Sequence, residues 1–135
     1  MIIISQPKLE VRENEVLVSS CIEDDKKHFR ETIFYKTSAT YRPYVVTEKA
    51  DLFVLSALMP ALFSQSDIRV EGTLSSDLKY ALENGLIYIL AKTYGVRPIK
   101  VHAERIETFE FGGKAVGAGC SMGVDSLATI KQHYI

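Results

Sequence analysis

Cysteine, histidine and excess charge are all scarce in this chain, and each scarcity closes off a class of function. The 135 residues hold two cysteines, Cys21 and Cys120, far apart in sequence. They do not suggest a disulfide framework, and a reducing cytoplasm is the simplest setting. The three histidines, His28, His102 and His133, show no H-x-x-x-H spacing, so no metal centre is expected. Basic residues number 16 and acidic residues 17, a net charge of −1. Without a basic field, neither a nucleic-acid partner nor an anionic membrane surface is expected. Leu52 to Phe63 is largely apolar, but Pro60 interrupts it and it falls short of the roughly 20 residues that span a bilayer. Met1 to Ile4 is apolar but runs straight into Ser5-Gln6-Pro7-Lys8, with no basic segment before it, so it does not read as a leader. There is no internal repeat and no low-complexity stretch.

What is present is an ordinary globular composition, 47% apolar and 24% charged, in a chain long enough for one domain with a core. The first 46 residues read as strands. Lys8 to Arg12 alternates polar and apolar, Glu13-Asn14 is a turn, and Val16 to Ile22 is a second strand. Glu23 to Lys27 is a charged hairpin loop, and Phe29 to Lys36 is a third strand rich in β-formers. Thr47 is placed to cap a helix from about Glu48 to Phe63, in which Pro60 should bend or shorten the last turn. Asp67 to Glu71 is a short strand, Ser75-Ser76-Asp77 opens a helix to about Thr93, Gly95 stops it, and Ile99 to Ala103 is a further strand. Residues 67–103 are thus a candidate right-handed βαβ unit. The fold class is α+β: N-terminal antiparallel strands plus a βαβ unit, followed by the first strand–loop–helix of an α/β nucleotide-binding domain. The expected boundaries are 1–111 for the N-terminal module and 112–135 for the start of the second, truncated domain.

That second segment contains Gly117-Ala118-Gly119-Cys120-Ser121-Met122-Gly123-Val124-Asp125-Ser126, set between a strand over 114–118 and a helix over 124–134. A Walker A loop is ruled out, because Gly123 is followed by Val124 and Asp125 and no lysine is in place. The dinucleotide fingerprint fails because Met122 stands where its last glycine belongs. Gly119-Cys120-Ser121-Met122-Gly123 does match the G-x-S-x-G nucleophile elbow. Only Asp125 and His133 follow it, however, both on the next helix, and they cannot form the usual triad. A plain strand-to-helix turn, with glycine, serine and aspartate acting as caps, also accounts for the residues.

Ser121-Met122-Gly123-Val124-Asp125-Ser126 resembles the PP-loop of ATP pyrophosphatases, S-G-G-x-D-S, with Met122 replacing the first glycine. The order of Asp67 to Gly72, helix, strand and loop is similar to the leading part of larger PP-loop proteins. The resemblance implies ATP and Mg2+ as cofactors, with residues 121–126 around the phosphates. It also implies an adenylating reaction, in which a substrate oxygen takes AMP and pyrophosphate leaves. ATP or pyrophosphate and an unknown small-molecule substrate would be the partners. The 135 residues alone are expected to be inactive, because the adenine pocket would lie in chain that follows. The alternative is a structural or interaction module whose loop is only a turn. Tyr35, Tyr41 and Tyr44 with Arg30 and Arg42 read as sheet packing rather than a base-stacking surface. Asp67, Arg69, Glu71 and Asp77 read as a salt-linked strand-to-helix turn. A strand over 114–120 would expose an unpaired edge, which predicts a homo-oligomer.

Overall fold

The computed structural model describes residues 1–110 and 123–133. Its six strands are β1 (Ile2–Ser5), β2 (Lys8–Val11), β3 (Glu15–Asp24), β4 (Phe29–Ser38), β5 (Ile68–Ser75) and β6 (Val101–Glu107). A 3-10 helix, Ala39–Tyr44, leads to α1 (Asp51–Ser64). Between β5 and β6 lie α2 (Ser76–Ala81), a single π turn over Leu82–Leu86, and α3 (Ile87–Tyr94); α4 (Val124–His133) comes last. The protein is α+β, as its pattern of elements indicates.

All six strands form one mixed sheet. The hairpin β3–β4 is antiparallel, β1 and β2 pair antiparallel with β3, and β1, β5 and β6 run parallel. The apolar start of the chain is therefore the middle of the sheet. Ile2 and Ile4 are buried between β3 and β5, where they join the core.

Both crossovers, β1 to β5 and β5 to β6, step in the same direction across the sheet. Right-handed crossovers that step the same way deliver their helices to the same face. Accordingly Phe53, Val54, Leu58 and Leu62 of α1 share one core with Leu82, Ile87 and Ala91 of the second helical segment. The sheet contributes Ile4, Val18, Ile22, Ile68, Val70 and Val101 to the same core. The other face carries exposed Arg30, Lys36, Arg69, Glu71, His102 and Glu104.

Several local expectations hold. Ser75 caps α2, its hydroxyl accepting from Leu78 N at 3.3 Å, and Gly95 ends α3 in the left-handed conformation at φ 65°. The βαβ unit is present, with β5 and β6 paired in parallel. The first long helix departs from expectation. It starts at Asp51, with Ala50 at the cap position and no side-chain capping bond. Thr47 instead gives its carbonyl to Gln6 Nε2 at 2.8 Å. The helix continues past Pro60 to Ser64, where Gln65, at φ 51°, closes it by bonding back to Ala61 O and Leu62 O.

Candidate ligand clefts between the hairpin and the first helix

In sheets with parallel strands, ligands settle beyond the carboxyl ends, where the connections part in opposite directions. Here that point lies between β1, whose chain turns back toward β3, and β5, whose chain goes on to β6. Both strands are irregular there. Ile4 pairs with Ile22 and Lys8 with Ser19, so β1–β2 carries one extra residue against β3. Val70 pairs with Ala103 and Thr73 with Arg105, so β5 carries one extra residue against β6. Such bulges release backbone groups from the ladder and re-aim side chains.

Gln6 takes up the released groups. Its Oε1 accepts from Thr73 N at 3.0 Å while its Nε2 donates to Thr47 O at 2.8 Å. Gly72 makes room for it, since a Cβ there would sit 2.0 Å from Gln6 Oε1. Next to this crossing, the Asp51 carboxylate accepts from Ser75 N at 2.9 Å and from Ser75 Oγ at 2.5 Å. Lys49 pairs with Asp51 at 3.5 Å and lies 4.7 Å over the Phe109 ring. Arg105 Nε donates to Thr73 Oγ1 at 3.0 Å. These bonds fix the start of α1 against the ends of β5 and β6. They also account for a helix that begins without a capping side chain of its own.

Beside this anchor, α1 leaves the β3–β4 hairpin and a cleft of about 340 Å3 opens. Its walls are apolar, formed by Val16, Val18, Val45, Val46 and Leu52, with Tyr35 and Tyr44 along them. Lys49 and Asp51 supply its charge, while Lys36 borders it from the outer face of the sheet. Lys36 is paired with Glu15 at 2.7 Å, and that hydrogen bond, followed by the lysine's charge, lowers the Glu15 carboxyl from its ordinary value. A second cleft, of about 290 Å3, lies between the same helix and hairpin at the amino ends of the parallel strands. Tyr35 separates the two. Its hydroxyl is 2.6 Å from Ser56 Oγ, and its ring meets Phe53 edge-on at 5.8 Å.

The residues singled out from sequence are scattered. Ser121 and Met122 lie outside the described residues, as do Cys120 and the strand over 114–120. Gly123 precedes α4, Val124 is 85% exposed and Asp125 is exposed. Ser126 is buried, and its hydroxyl donates to Gly123 O at 3.0 Å. His28 sits in the β3–β4 turn at φ 49°, and His102 is exposed on β6. Among the described residues no group of three or more His, Cys, Asp or Glu is placed to hold a metal ion.

The expected salt-linked turn does not form. Asp67 accepts from Lys100 N before β5 begins, whereas Asp77 follows its far end. Eight strand residues keep them apart, at about 3.3 Å of rise for each. Arg30 is on the outer face, paired with Glu23 at 3.0 Å, while Tyr35 and Tyr44 meet at the first cleft.

Sequence reasoning passed over Asp24. In sequence it belongs to the charged run Glu23 to Lys27, yet Val16, Val18, Ser20, Ile22 and Asp24 are the buried positions of one alternating strand. Extending the period of two by one step would have placed a carboxylate on the core side.

No family model and no curated protein sequence matches the chain. Among solved structures, it is similar to a Fowlpox virus resolvase crystallised with its substrate Holliday junction DNA, at 16% identity and a TM-score of 0.24. The match covers 84% of this chain and 66% of that one, so the chain spans about two thirds of the resolvase's length.

The absence of any matching family model or curated sequence corrects the sequence reading, which expected the PP-loop family. What the chain matches is a DNA-bound resolvase and not an ATP pyrophosphatase. Membership of the PP-loop family, adenylation with release of pyrophosphate, the ATP or pyrophosphate partner and the exclusion of nucleic acid are withdrawn. The structural-module alternative gains nothing from the match either. With the family goes the reason for expecting ATP and Mg2+, which the described residues do not test. The physical ground for the family was a six-residue loop, and its described end, residues 123–126, starts a helix as glycine, aspartate and serine commonly do. A TM-score of 0.24 carries no argument about what this chain does, and the resolvase's DNA is not transferred to it.

Proposed function

We propose that the chain is a binding module for a small molecule with an apolar body and one carboxylate. The site is the cleft beside the start of α1. One observation carries this reading: an apolar-walled cleft of about 340 Å3 lies beside Lys49 and the first turn of α1, whose Asp51 is tied to Ser75 at the end of β5. Lys49 supplies positive charge, and first-turn amides point along a helix dipole that favours an anion. Asp51 opposes an anion less than its charge suggests, because Ser75 and Lys49 already occupy its oxygens.

Among the described residues no helix is long and apolar enough to cross a membrane. A cytoplasmic setting goes with this reading, since Cys21 has no disulfide partner among the described residues.

Phenylacetate, with one ring and one carboxylate, is a direct probe. In a methyl-labelled NMR titration it should shift Val16, Val18 and Leu52. Leu52→Trp, which fills the mouth from a half-exposed position, should abolish the shifts. Lys49→Met should weaken binding about tenfold, the loss of a charge-assisted bond of about 1.5 kcal/mol. No saturable shift at millimolar phenylacetate, or shifts unchanged by Leu52→Trp, would overturn the proposal.

A further inference from the structure

We infer that the amino-end cleft is a second binding site, for a small ammonium compound with an apolar body, held by the free carboxylate oxygen of Asp24. The inference stands apart from the carboxyl-end cleft and uses different residues. Asp24 is 6% exposed and lines a cavity of about 290 Å3 whose walls include Ile2, Ile22, Ala57 and Pro60. Its Oδ1 accepts from Lys26 N at 3.0 Å, which secures the hairpin turn. Its Oδ2 has no protein donor among the described residues, and no lysine or arginine nitrogen there is within ion-pairing distance. No fully buried side-chain oxygen lacks a partner among the described residues, so Oδ2 meets solvent at the cleft, where a cation bringing its own N–H donors can take the water's place.

The two hydroxyls in the cleft select the same chemistry. Ser64 Oγ donates to Ala61 O at 3.3 Å, and Ser56 Oγ donates to Leu52 O at 2.7 Å. With its proton committed there, Ser56 must accept from the Tyr35 hydroxyl, 2.6 Å away. Both serines therefore turn lone pairs rather than protons toward a ligand. Together with Asp24 Oδ2 they form an acceptor set, which suits an ammonium group and repels a carboxylate. Phe29, 48% exposed, offers a ring to the apolar body. Lys27 is the native cation at the edge of the cleft, exposed to solvent and so able to move aside.

The test is a methyl-labelled NMR titration of the full chain with 2-phenylethylamine and its neutral isostere 2-phenylethanol. The amine should shift Ile2, Ile22 and Ile33 and bind at least tenfold more tightly than the alcohol. Asp24→Asn keeps the Oδ1 acceptor for the turn and should erase that preference. Lys27→Met, at an exposed position, should strengthen amine binding several-fold. Equal affinity for amine and alcohol, amine shifts centred on Val16 and Leu52, or no amine binding to Lys27→Met at millimolar concentration would each overturn the inference. The phenylacetate result bears on the other cleft alone, so the two readings fail separately.

Discussion

On one side of the Tyr35–Ser56 bridge, the cleft beside the start of α1 has Lys49 at its margin and its single carboxylate, Asp51, held by Ser75 and Lys49. On the other side, the cleft beside the end of α1 has a buried carboxylate with one oxygen unclaimed and hydroxyls turned to accept. The same helix and the same hairpin build both. The difference shows that a cleft's ligand chemistry follows from where existing hydrogen bonds end rather than from which residue types line it. An aspartate lines each cleft, but Asp51 has donors on both oxygens whereas Asp24 has one only on Oδ1.

The largest effect should come from removing what holds the partition. Phe53 is 1% exposed and supports the Tyr35 ring. Phe53→Ala should destabilise the fold by about 3–5 kcal/mol in urea unfolding and merge the clefts, so that neither probe is discriminated. If stability drops but each probe still shifts only its own methyls, Tyr35 alone makes the wall.

The polar crossing at the carboxyl end can be broken without touching the amino-end cleft. Gly72→Ala drives a methyl into Gln6 Oε1 and should destabilise by about 1–3 kcal/mol. Gln6→Ala leaves Thr73 N and Thr47 O without their partner, at a similar cost of about 1–3 kcal/mol. The double variant should be clearly less unstable than the sum, because the clash needs both side chains. Strict additivity would show that Gly72 matters for some reason other than Gln6. In either single variant, 2-phenylethylamine binding should persist.

Ser75→Ala removes both the cap of α2 and a partner of Asp51 and should cost about 1–2 kcal/mol. It also leaves Asp51 less neutralised, so phenylacetate affinity should fall while amine affinity holds. Equal losses for both probes would show that the clefts are coupled through α1.

Tyr35→Phe keeps the ring contact and removes only the hydroxyl bond to Ser56, for about 0.5–1.5 kcal/mol. A smaller effect still is expected at Glu15. Its carboxyl titrates below its ordinary value because Lys36 stabilises the charged form. The contribution of that pair to stability is therefore present above the unfolded-state carboxylate pKa and is lost as pH falls through the folded one. Lys36→Met should flatten this acid-side dependence, and an unchanged slope would remove Lys36 as its cause.

Much of the fold could be read locally. Ser75 and Gly95 bracket the second helical segment because cap hydroxyls and left-handed glycines act on their immediate neighbours. Alternation placed β2 and a run of β-formers placed β4, and the β5–β6 unit followed from two β-rich runs around a capped helix. The start of α1 was misplaced because its anchor, the Asp51–Ser75 pair, spans 24 residues, and sequence showed only the nearby Thr47. The loop over 121–126 attracted attention because glycine and serine motifs stand out in a sequence. The clefts did not, because their residues come from β1, β3, β4, α1 and the connections at Lys27 and Tyr44 to Lys49, and share no local pattern.

By itself the sequence determined the α+β class, the hairpin and the helix limits set by local caps, since these depend on periodicity of two or 3.6 residues and on bonds between near neighbours. Only the tertiary structure decided that Met1 to Ile4 would supply the central strand, that both helices would share one face, and that Gln6 would join two bulged strands. It also decided that Asp24 would face a cavity. Each of these depends on groups distant in the chain meeting across a sheet whose order the linear pattern does not contain.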